Sequence, residues 1–293
     1  MSWRIVSVSS LAKLDYKMDY LVVRTQEKIR RVHLSEISIL MIESTAVSLT
    51  AYLLCELAKW KIDVVFCDEK RFPYGMLLPL QGSHDTSLHY KSQAAWPKER
   101  KDAVWAEIVR AKIRGQLSVL PRDREAERRL IFSYLPQVRP GDATNREGHA
   151  AKVYFNALFG MAFTRTEDSL INTALNYGYS VLLSAVAREI TACGYCNQIG
   201  IFHDNRFNAF NLACDFMEPF RPMIDQAVRN MEFSEFGREQ KRELVQVLNE
   251  QVQIEGRSQY TLNAIRIFVR SALAALDQDA PDRLVFPDYN YEL

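Results

Sequence analysis

Long apolar runs are missing from this chain of 293 residues. It has no stretch of about 18 uninterrupted apolar residues, so no membrane-spanning helix is predicted. Its first residues, MSWRIVSVSS, contain neither an apolar signal core nor an A-x-A-like cleavage site, so secretion is not expected. We therefore predict a cytoplasmic protein that has no membrane partner.

Cysteine is scarce, and the number of cysteines is odd. Five cysteines in a chain of this length do not predict a disulfide framework, which agrees with a reducing compartment. Cys193 and Cys196 form one C-x-x-C pair. A tetrahedral zinc site would need a second pair, and a redox role would need a thioredoxin-like context, whereas this pair spans a predicted helix end. We therefore interpret the pair as a coincidence of the sequence.

Common catalytic motifs are absent, and so is an excess of one charge. Without G-x-x-x-x-G-K-[ST] or G-x-G-x-x-G the chain has no predicted cradle for nucleotide phosphates, and it has no G-x-S-x-G. The 37 basic and 36 acidic residues nearly cancel, which does not indicate a nucleic-acid binder. Basic residues outnumber acidic ones over residues 98–129, and the reverse holds over residues 271–293. Taken alone, such segments are usually solvated helix faces.

The spacing of apolar residues changes along the chain, from the alternation typical of strands to the spacing typical of helices. Alternating and β-branched residues predict strands over residues 4–8, 20–24, 29–34, 37–42 and 62–67, with one helix over residues 45–60. Prolines and glycines in residues 72–83 then predict a break. Helical spacing follows and predicts helices over residues 99–115, 122–134, 146–163, 167–193, 207–217, 237–255 and 261–276.

The predicted fold class is therefore α+β. A small N-terminal β-sheet domain with one helix (residues 1–75) precedes a linker (residues 76–97) and a larger all-α C-terminal domain (residues 98–293). Neither internal repeats nor low-complexity tracts interrupt this order. Any catalytic chemistry is expected in the helical part, because the chemistry-bearing residues concentrate there.

The segment HDNRFNAFNLACDFMEPFRP (residues 203–222) is the most informative stretch of the chain. His203 is followed by Asp215 and Glu218, which lie three residues apart on an apolar background. On a helix this spacing places both carboxylates on one face, where burial is unfavourable unless a cation lies between them. A divalent cation is the simplest such partner, because Mg²⁺ prefers oxygen ligands and Mn²⁺ also accepts an imidazole.

A further carboxylate ligand can come from Glu147, near the start of the helix predicted over residues 146–163. The spacing does not prove that these groups meet in space. Acid pairs at i, i+3 are common on solvated helices, and a lone histidine near aromatic residues is more often a core residue than a ligand. Glu147, His203, Asp215 and Glu218 are therefore candidates, to be weighed against this structural alternative.

Three segments, in order, resemble a known family. EGHAAKVYFNALFG (residues 147–160) resembles its first acid-bearing helix, INTALNYGYSVL (residues 171–182) its central helix, and GIFHDNRFNAFNLACDFMEPFRP (residues 200–222) the segment with its histidine and second acid. The family is the universal CRISPR-associated integrase and endonuclease of spacer acquisition, in its type II form. By position, the resemblance implies that Glu147, His203 and Glu218 are catalytic metal ligands, with Asp215 as an additional ligand. At Cys196 and Phe202 the chain departs from the more polar residues expected.

The resemblance implies a metal-dependent reaction, with Mg²⁺ or Mn²⁺ as the cofactor. The 3′-hydroxyls of captured protospacer DNA would attack phosphodiesters at the boundary of a CRISPR repeat. This transesterification needs no ATP, in agreement with the missing nucleotide motifs. The metal would stabilise charge on the phosphate oxygens, and His203 would be either a ligand or a proton carrier to the leaving oxygen.

The resemblance also implies partners. These are double-stranded DNA (captured protospacer and CRISPR repeat), a second copy of the chain in a homodimer, and the small second-numbered CRISPR-associated protein, with the type II effector nuclease as a further candidate. We expect residues 1–75 to mediate dimerisation, residues 98–129 to contact DNA phosphates, and the acidic residues 271–293 to touch a partner.

Two other functions stay open on the sequence. One is a general metal-dependent nuclease that cuts branched or single-stranded DNA, in which water rather than a 3′-hydroxyl attacks the phosphate. The other is a DNA-binding scaffold without catalytic activity. All three functions predict DNA as a partner, and only the first predicts a joined product.

Overall fold

The computed structural model describes residues 4–78 and 83–289. These residues group into two compact units. One unit is formed by the described residues of Met1–Thr86 with Thr191–Tyr195, and the other by those of Ser87–Ile190 with Cys196–Leu293. Strands dominate the first unit and helices the second, so the predicted α+β class is confirmed.

Strands and one helix make up the first unit. In chain order they are β1 (Arg4–Val8), β2 (Ala12–Lys17), β3 (Tyr20–Arg24), β4 (Ile29–His33), β5 (Ile37–Ile42), β6 (Val47–Leu49), α1 (Ala51–Lys59), β7 (Asp63–Cys67) and β8 (Pro73–Leu77). One sheet has the order β1-β5-β7-β8, with β1, β5 and β7 parallel and β8 antiparallel. The other has the order β4-β3-β2-β6. All six side chains of β5 are buried, as expected of an inner parallel strand.

The helix α1 is shorter than the sequence predicts. Residues 47–49 of the helix predicted over residues 45–60 instead pair with β2 as the strand β6. The helix begins only after Thr50, whose hydroxyl accepts a hydrogen bond from the N–H of Leu53 at 3.2 Å. Its apolar face, with Leu53 and Leu57, joins the core between the strands. The sheet pairing thus overrides the helical period at the start of this segment.

The predicted break and linker are also partly ordered. Residues 73–77 form β8, which pairs with β7 at the sheet edge, where the missing N–H of Pro73 is tolerated. A helix, α2 (Thr86–Ala94), lies within the predicted linker. Residues 79–82 of that linker lie outside the described residues. The strand β2 is a further element that the sequence patterns did not predict.

Helices dominate the second unit. They are α3 (Lys98–Val119), α4 (Glu125–Tyr134), α5 (Arg146–Phe159), α6 (Leu170–Ala192), α7 (Asn211–Met217), α8 (Arg221–Arg229), α9 (Arg238–Gln246) and α10 (Thr261–Gln278), with a hairpin of β9 (Gln251–Ile254) and β10 (Arg257–Tyr260). Buried residues line α3, α6 and α10 on most of their surfaces, so these helices form the core of the unit.

The second unit differs from the sequence-based expectation in one helix that is predicted too long and one that is not predicted. The helix predicted over residues 237–255 ends at Gln246, because the positive φ values at Glu255 and Gly256 form the turn of the β9–β10 hairpin. The sequence patterns do not predict the helix α8, because a proline such as Pro222 usually ends a helix. Pro222 instead lies in the first turn of α8, where its missing N–H has no partner to lose.

The packing of α3 against the start of α8 prepares the site. A Cβ atom at Gly115 would lie only 2.8 Å from Cγ of Pro222, so the two elements touch at a glycine. Lys112 lies three residues before Gly115 on α3, and Arg221 directly precedes Pro222. The close approach therefore places Lys112 beside the segment that carries Glu218. Within the described ranges, no helix is long and apolar enough to cross a membrane.

Candidate active site

Two carboxylates from distant parts of the chain meet at one ammonium group. Glu147 lies in the first turn of α5, Glu218 opens the short 3₁₀ turn after α7, and Lys112 lies on α3. Lys112 Nζ donates a hydrogen bond to Glu147 Oε1 and lies 2.5 Å from Glu218 Oε2. Because both oxygens contact the same nitrogen, the two carboxylates lie side by side.

This cluster is buried and charged. The side chains of Lys112 and Glu218 are 9% and 5% exposed, whereas that of Glu147 is 30% exposed. Burial would lower the pKa of Lys112, but the charges of Glu218 and Glu147 outweigh it and leave that pKa raised. Burial would raise the pKa of Glu218, but Arg221 and Lys112 hold it below its usual value. Lys112 and Glu218 are therefore both ionised, and each stabilises the charged form of the other.

Arg221 is the second cation at Glu218. Its Nε lies 3.0 Å from Glu218 Oε1, three residues along the chain. Its guanidinium group stacks over the Tyr179 ring, 4.6 Å from the centroid. The Tyr179 hydroxyl in turn donates a hydrogen bond to Asp225, whose pKa is raised to about 6 chiefly by burial. Tyr179, itself hydrogen-bonded to Asp225, thus holds the Arg221 guanidinium group in place.

Glu218 keeps unused acceptor capacity. Its Oε2 is shielded from solvent and accepts no well-directed hydrogen bond within the described part of the chain, although Lys112 Nζ lies 2.5 Å away. The contact is therefore an ion pair of poor hydrogen-bond geometry. This buried, negatively charged oxygen therefore keeps a lone pair that can accept a further hydrogen bond or ligate a metal ion.

Asp215 and His203 form a separate pair. Asp215 is fully buried, and its Oδ2 accepts hydrogen bonds from the N–H groups of Ile201 at 2.7 Å and Phe202 at 3.2 Å. Its Oδ1 accepts from the N–H of His203 at 3.0 Å and lies 2.6 Å from His203 Nδ1. This geometry assigns the ring proton to Nδ1 and directs Nε2 toward another partner.

The same pair raises the pKa of His203. The hydrogen bond to Asp215 contributes most, burial opposes it, and the charges of Asp215 and Glu218 add to the increase. The imidazole and Glu218 are therefore close enough to interact electrostatically. The ring also lies edge-on to Trp105 and Phe202, which stack on each other with centroids 4.3 Å apart.

A glycine allows the loop to wrap around Asp215. A Cβ atom at Gly200 would lie 2.3 Å from the carbonyl oxygen of His203 and 2.8 Å from Asp215 Oδ2. Both contacts are shorter than real Cβ atoms make, so a side chain here would separate the histidine from its carboxylate. The glycine before the I-F-H triplet is thus a requirement of the site.

The start of α5 presents Glu147. Asp142 Oδ1 accepts a hydrogen bond from the N–H of Arg146, and Oδ2 accepts one from the N–H of Glu147, both at 2.9 Å. A carboxylate at this position satisfies two of the free donors of the first turn and interacts favourably with the helix dipole. The helix therefore begins at a fixed place, with Glu147 in its first turn facing Lys112.

The four predicted residues are thus distributed over two neighbouring arrangements. The structure brings Glu147 and Glu218 together and pairs Asp215 with His203. Within the described ranges, no three side chains of His, Cys, Asp or Glu are close enough together to hold a metal ion. Both oxygens of Asp215, predicted as an additional ligand, are already engaged. The ligand roles of all four residues stay predictions.

Lys112 and Arg221 are the members of the cluster that the sequence patterns did not single out. Arg221 follows Glu218 at the i, i+3 spacing of a helical ion pair, which is a usable signal. Lys112 lies in the basic stretch of residues 98–129, and such a stretch taken alone is typical of a solvated helix face. Its spacing from Ile108 and Gly115 on the packed side of α3 is the signal that would have indicated burial.

Comparison with known proteins assigns the family. The family model described as CRISPR associated protein Cas1 matches residues 6–240. The chain belongs to the Cas1 family. Among curated relatives, CRISPR-associated endonuclease Cas1 of Neisseria meningitidis serogroup C (strain 8013) is 36% identical over 308 residues, covering 100% of both chains. CRISPR-associated endonuclease Cas1 1 of Pyrobaculum aerophilum is 30% identical, covering 73% of this chain and 77% of that relative. The family predicted from three segments is confirmed.

Solved structures share the Cas1 fold. A casposase bound to integration product has a TM-score of 0.74 at 20% identity, covering 95% of this chain and 91% of that chain. A Cas1 protein from Thermotoga maritima has a TM-score of 0.72 at 18% identity, covering 93% and 97%. A chain of a Cas6-RT-Cas1–Cas2 complex has a TM-score of 0.74 at 15% identity, and this chain covers 36% of it. The chain is therefore a member of a family of CRISPR-associated nucleases with the Cas1 fold.

Proposed function

We propose that this Cas1-family chain is a metal-dependent DNA integrase of CRISPR adaptation. It joins the 3′-hydroxyl ends of captured protospacer DNA to a CRISPR repeat by transesterification. The observation that supports the proposal most is the convergence of Glu147 and Glu218 on a single positive charge, next to a histidine held by Asp215. The family membership supports the same chemistry.

The residues of the cluster fit a divalent ion. Two carboxylates already share one cation, and carboxylate oxygens with an imidazole nitrogen form a donor set that Mg²⁺ or Mn²⁺ accepts. Glu147 and Glu218 would hold the ion, and His203 would complete the set through Nε2. When bound, the ion would polarise the scissile phosphate and stabilise negative charge on its oxygens.

The other side chains have supporting roles in this proposal. Asp215 holds the His203 ring in one orientation and keeps the proton on Nδ1, so we assign it to positioning rather than to metal binding. Arg221 pairs with Glu218 at Oε1, whereas Lys112 contacts Oε2. If His203 is not a ligand, its raised pKa suits it to carry a proton to the leaving oxygen.

The partners follow from the same proposal. Solved structures with the same fold include a casposase bound to integration product and Cas6-RT-Cas1–Cas2 complexes. We propose double-stranded DNA, the small second-numbered CRISPR-associated protein and a second copy of this chain as partners in the cytoplasm, with the type II effector nuclease as a further one. Dimerisation through residues 1–75 and phosphate contacts along residues 98–129 stay part of the proposal.

A second candidate function is cleavage without joining. The curated relatives are named endonucleases, which favours water as an alternative nucleophile at the same site. The two reactions use the same ligands and differ only in the attacking oxygen. They are distinguished by their products, because hydrolysis leaves cut DNA and transesterification leaves a new phosphodiester bond.

The test is a joining assay with the small partner protein. A labelled duplex with 3′-hydroxyl ends is incubated with a supercoiled plasmid that carries a CRISPR repeat, in Mg²⁺ or Mn²⁺. We expect a joined product, none with 3′-deoxy ends, and none with Glu147→Gln or Glu218→Gln. The control Glu239→Gln, an exposed acid in the first turn of α9, should retain joining.

Each alternative outcome has a meaning. Cleaved plasmid without joined product would favour the endonuclease. Unchanged joining by Glu147→Gln would remove Glu147 from the mechanism. Duplex binding without any reaction, in all variants and with either metal, would favour the silent scaffold. Duplex binding at matched salt is measured in parallel, because phosphate contacts should survive both substitutions.

A further inference from the structure

Lys112 occupies the place where Glu147 and Glu218 would hold a metal ion. Its Nζ contacts an oxygen of each carboxylate, and its side chain is 9% exposed. An ammonium group and a divalent ion cannot both fill the space between the same two oxygens. The Lys112 ammonium group and a metal ion therefore compete for the same position between the two carboxylates.

We propose that Lys112 is a displaceable internal cation that makes metal loading depend on DNA. The ammonium group leaves the two carboxylates when the metal enters, and it then pairs with a phosphate of the bound DNA. This inference rests on the proposed metal site. It goes beyond that proposal because it makes Lys112 responsible for the coupling between metal binding and DNA binding.

The charge balance of the cluster supports the coupling. Lys112 and Arg221 neutralise Glu147 and Glu218 without any metal. Exchange of the ammonium group for a divalent ion would leave one excess positive charge in a buried site that is neutral without metal, and such an excess is unfavourable in a low-dielectric environment. DNA phosphates supply the missing negative charge. Metal binding should therefore be weak alone and stronger with DNA.

The Lys112 side chain can move toward solvent past Glu147. Of the two carboxylates it contacts, Glu147 is 30% exposed while Glu218 is 5% exposed, so the cluster opens to solvent on the Glu147 side. The flexible four-carbon stem of lysine lets Nζ move several ångströms without a backbone change. Glu218 would not be left unpaired by this movement, since Arg221 stays at its other oxygen.

The experiment measures Mn²⁺ affinity by the paramagnetic resonance of free Mn²⁺, at one pH and ionic strength. Each protein is tested with and without a short duplex whose 3′ ends are deoxy, so that no joining occurs. The variants are Lys112→Met, which removes the charge, and Lys112→Arg, which keeps it. The control is Lys152→Met, which removes an exposed charge from α5, the helix of Glu147.

We expect the duplex to tighten Mn²⁺ binding to the wild type roughly tenfold or more. Lys112→Met should bind Mn²⁺ without DNA at least about tenfold tighter than the wild type and gain little from the duplex. Lys112→Arg and Lys152→Met should keep the effect of the duplex. By reciprocity, Mn²⁺ should strengthen duplex binding by the wild type by the same factor.

Equal Mn²⁺ affinities of the wild type and Lys112→Met would overturn the role of Lys112 and leave the proposed metal site intact. No Mn²⁺ binding by the wild type, even with the duplex, would overturn the proposed function and this inference together. Circular dichroism checks that Lys112→Met folds. If Lys112→Met does not fold, the test is the wild type measured with and without the duplex. Equal Mn²⁺ affinities in these two measurements would exclude the coupling.

Discussion

The hydrogen-bond arrangement at Asp215 makes Asp215→Asn the sharpest test of the site. Asp215 has only acceptors, and it receives three backbone N–H groups and Nδ1 of His203. Asparagine offers one oxygen and one NH₂ group. If the oxygen faces Ile201 and Phe202, the NH₂ group faces the His203 ring, which can then only accept at Nδ1. The ring proton therefore moves to Nε2, the nitrogen that the proposed mechanism needs.

The opposite orientation of the asparagine is no better. Its NH₂ group would then face the N–H groups of Ile201 and Phe202, and donors would oppose donors. Either way at least one buried donor loses its acceptor, which should lower the free energy of unfolding by about 1 to 3 kcal/mol. A misplaced tautomer should lower joining by about 10² to 10⁴-fold, or roughly 3 to 5 kcal/mol of transition-state stabilisation.

The assay combines a rate with a spectrum. Single-turnover joining at saturating metal and DNA gives the rate, and nitrogen chemical shifts of the His203 ring give its tautomer and pKa. We expect the pKa of His203 to fall in Asp215→Asn, because the hydrogen bond and the charge that raise it are lost while burial remains. The control Asp204→Asn changes an exposed acid of the same loop and should leave rate and tautomer unchanged.

A folded Asp215→Asn protein that joins DNA within about threefold of the wild-type rate would refute the positioning role. The pair also affects stability in a defined direction. Because the folded-state pKa of His203 is raised above 6.5, its contribution is fully present below that pH. The contribution is lost as the pH rises through the raised value. The difference in the free energy of unfolding between the wild type and Asp215→Asn should therefore become smaller as the pH rises from 6.5 through the raised pKa of His203.

Three further predictions test the supports of the site. Asp142→Ala removes two acceptors from the first turn of α5 and should lower the free energy of unfolding by about 1 kcal/mol in urea titrations, more than the exposed control Glu239→Ala. In the wild type, Asp225 should lower the free energy of unfolding by about 3 kcal/mol as the pH rises from 4 to 6, because its pKa is about 6 in the folded protein and the unfolded chain therefore releases this proton at lower pH. Asp225→Asn should abolish this decrease, and parallel pH profiles of the two proteins would contradict the argument. Gly200→Ala should lower joining and alter the His203 ring shifts, and normal shifts would show that the loop tolerates a Cβ.

The acid pair shows how far the sequence leads and where it stops. Asp215 and Glu218 were expected on one helix face with a cation between them. The helix α7 ends at Met217, and Glu218 begins a 3₁₀ turn tightened by Pro219. The change of helix type turns the second carboxylate toward Lys112 while the first points into the His203 loop. The residues were therefore predictable, but their division between two partners was not.

Long-range packing explains what the sequence could not provide. The position of Lys112 depends on the contact of α3 with the start of α8 at Gly115, and no local pattern encodes which helices touch. The alternative that residues 98–129 form an ordinary solvated basic face suits Lys98, which is largely exposed and pairs with Asp102 at 2.5 Å. It fails for Lys112 because a single buried cation does not change the charge average of a segment.

The two arrangements together suggest how a metal site can be built before its metal arrives. Buried carboxylates without partners would destabilise the fold, so Glu218 needs a cation at all times. Lys112 and Arg221 meet that need from within the chain, and Asp215 is satisfied by backbone donors and His203 instead. On our proposal, the fold is thus independent of the metal, and the metal enters only where a phosphate can take over the displaced ammonium. A site arranged in this way would stay inactive until its DNA is in place.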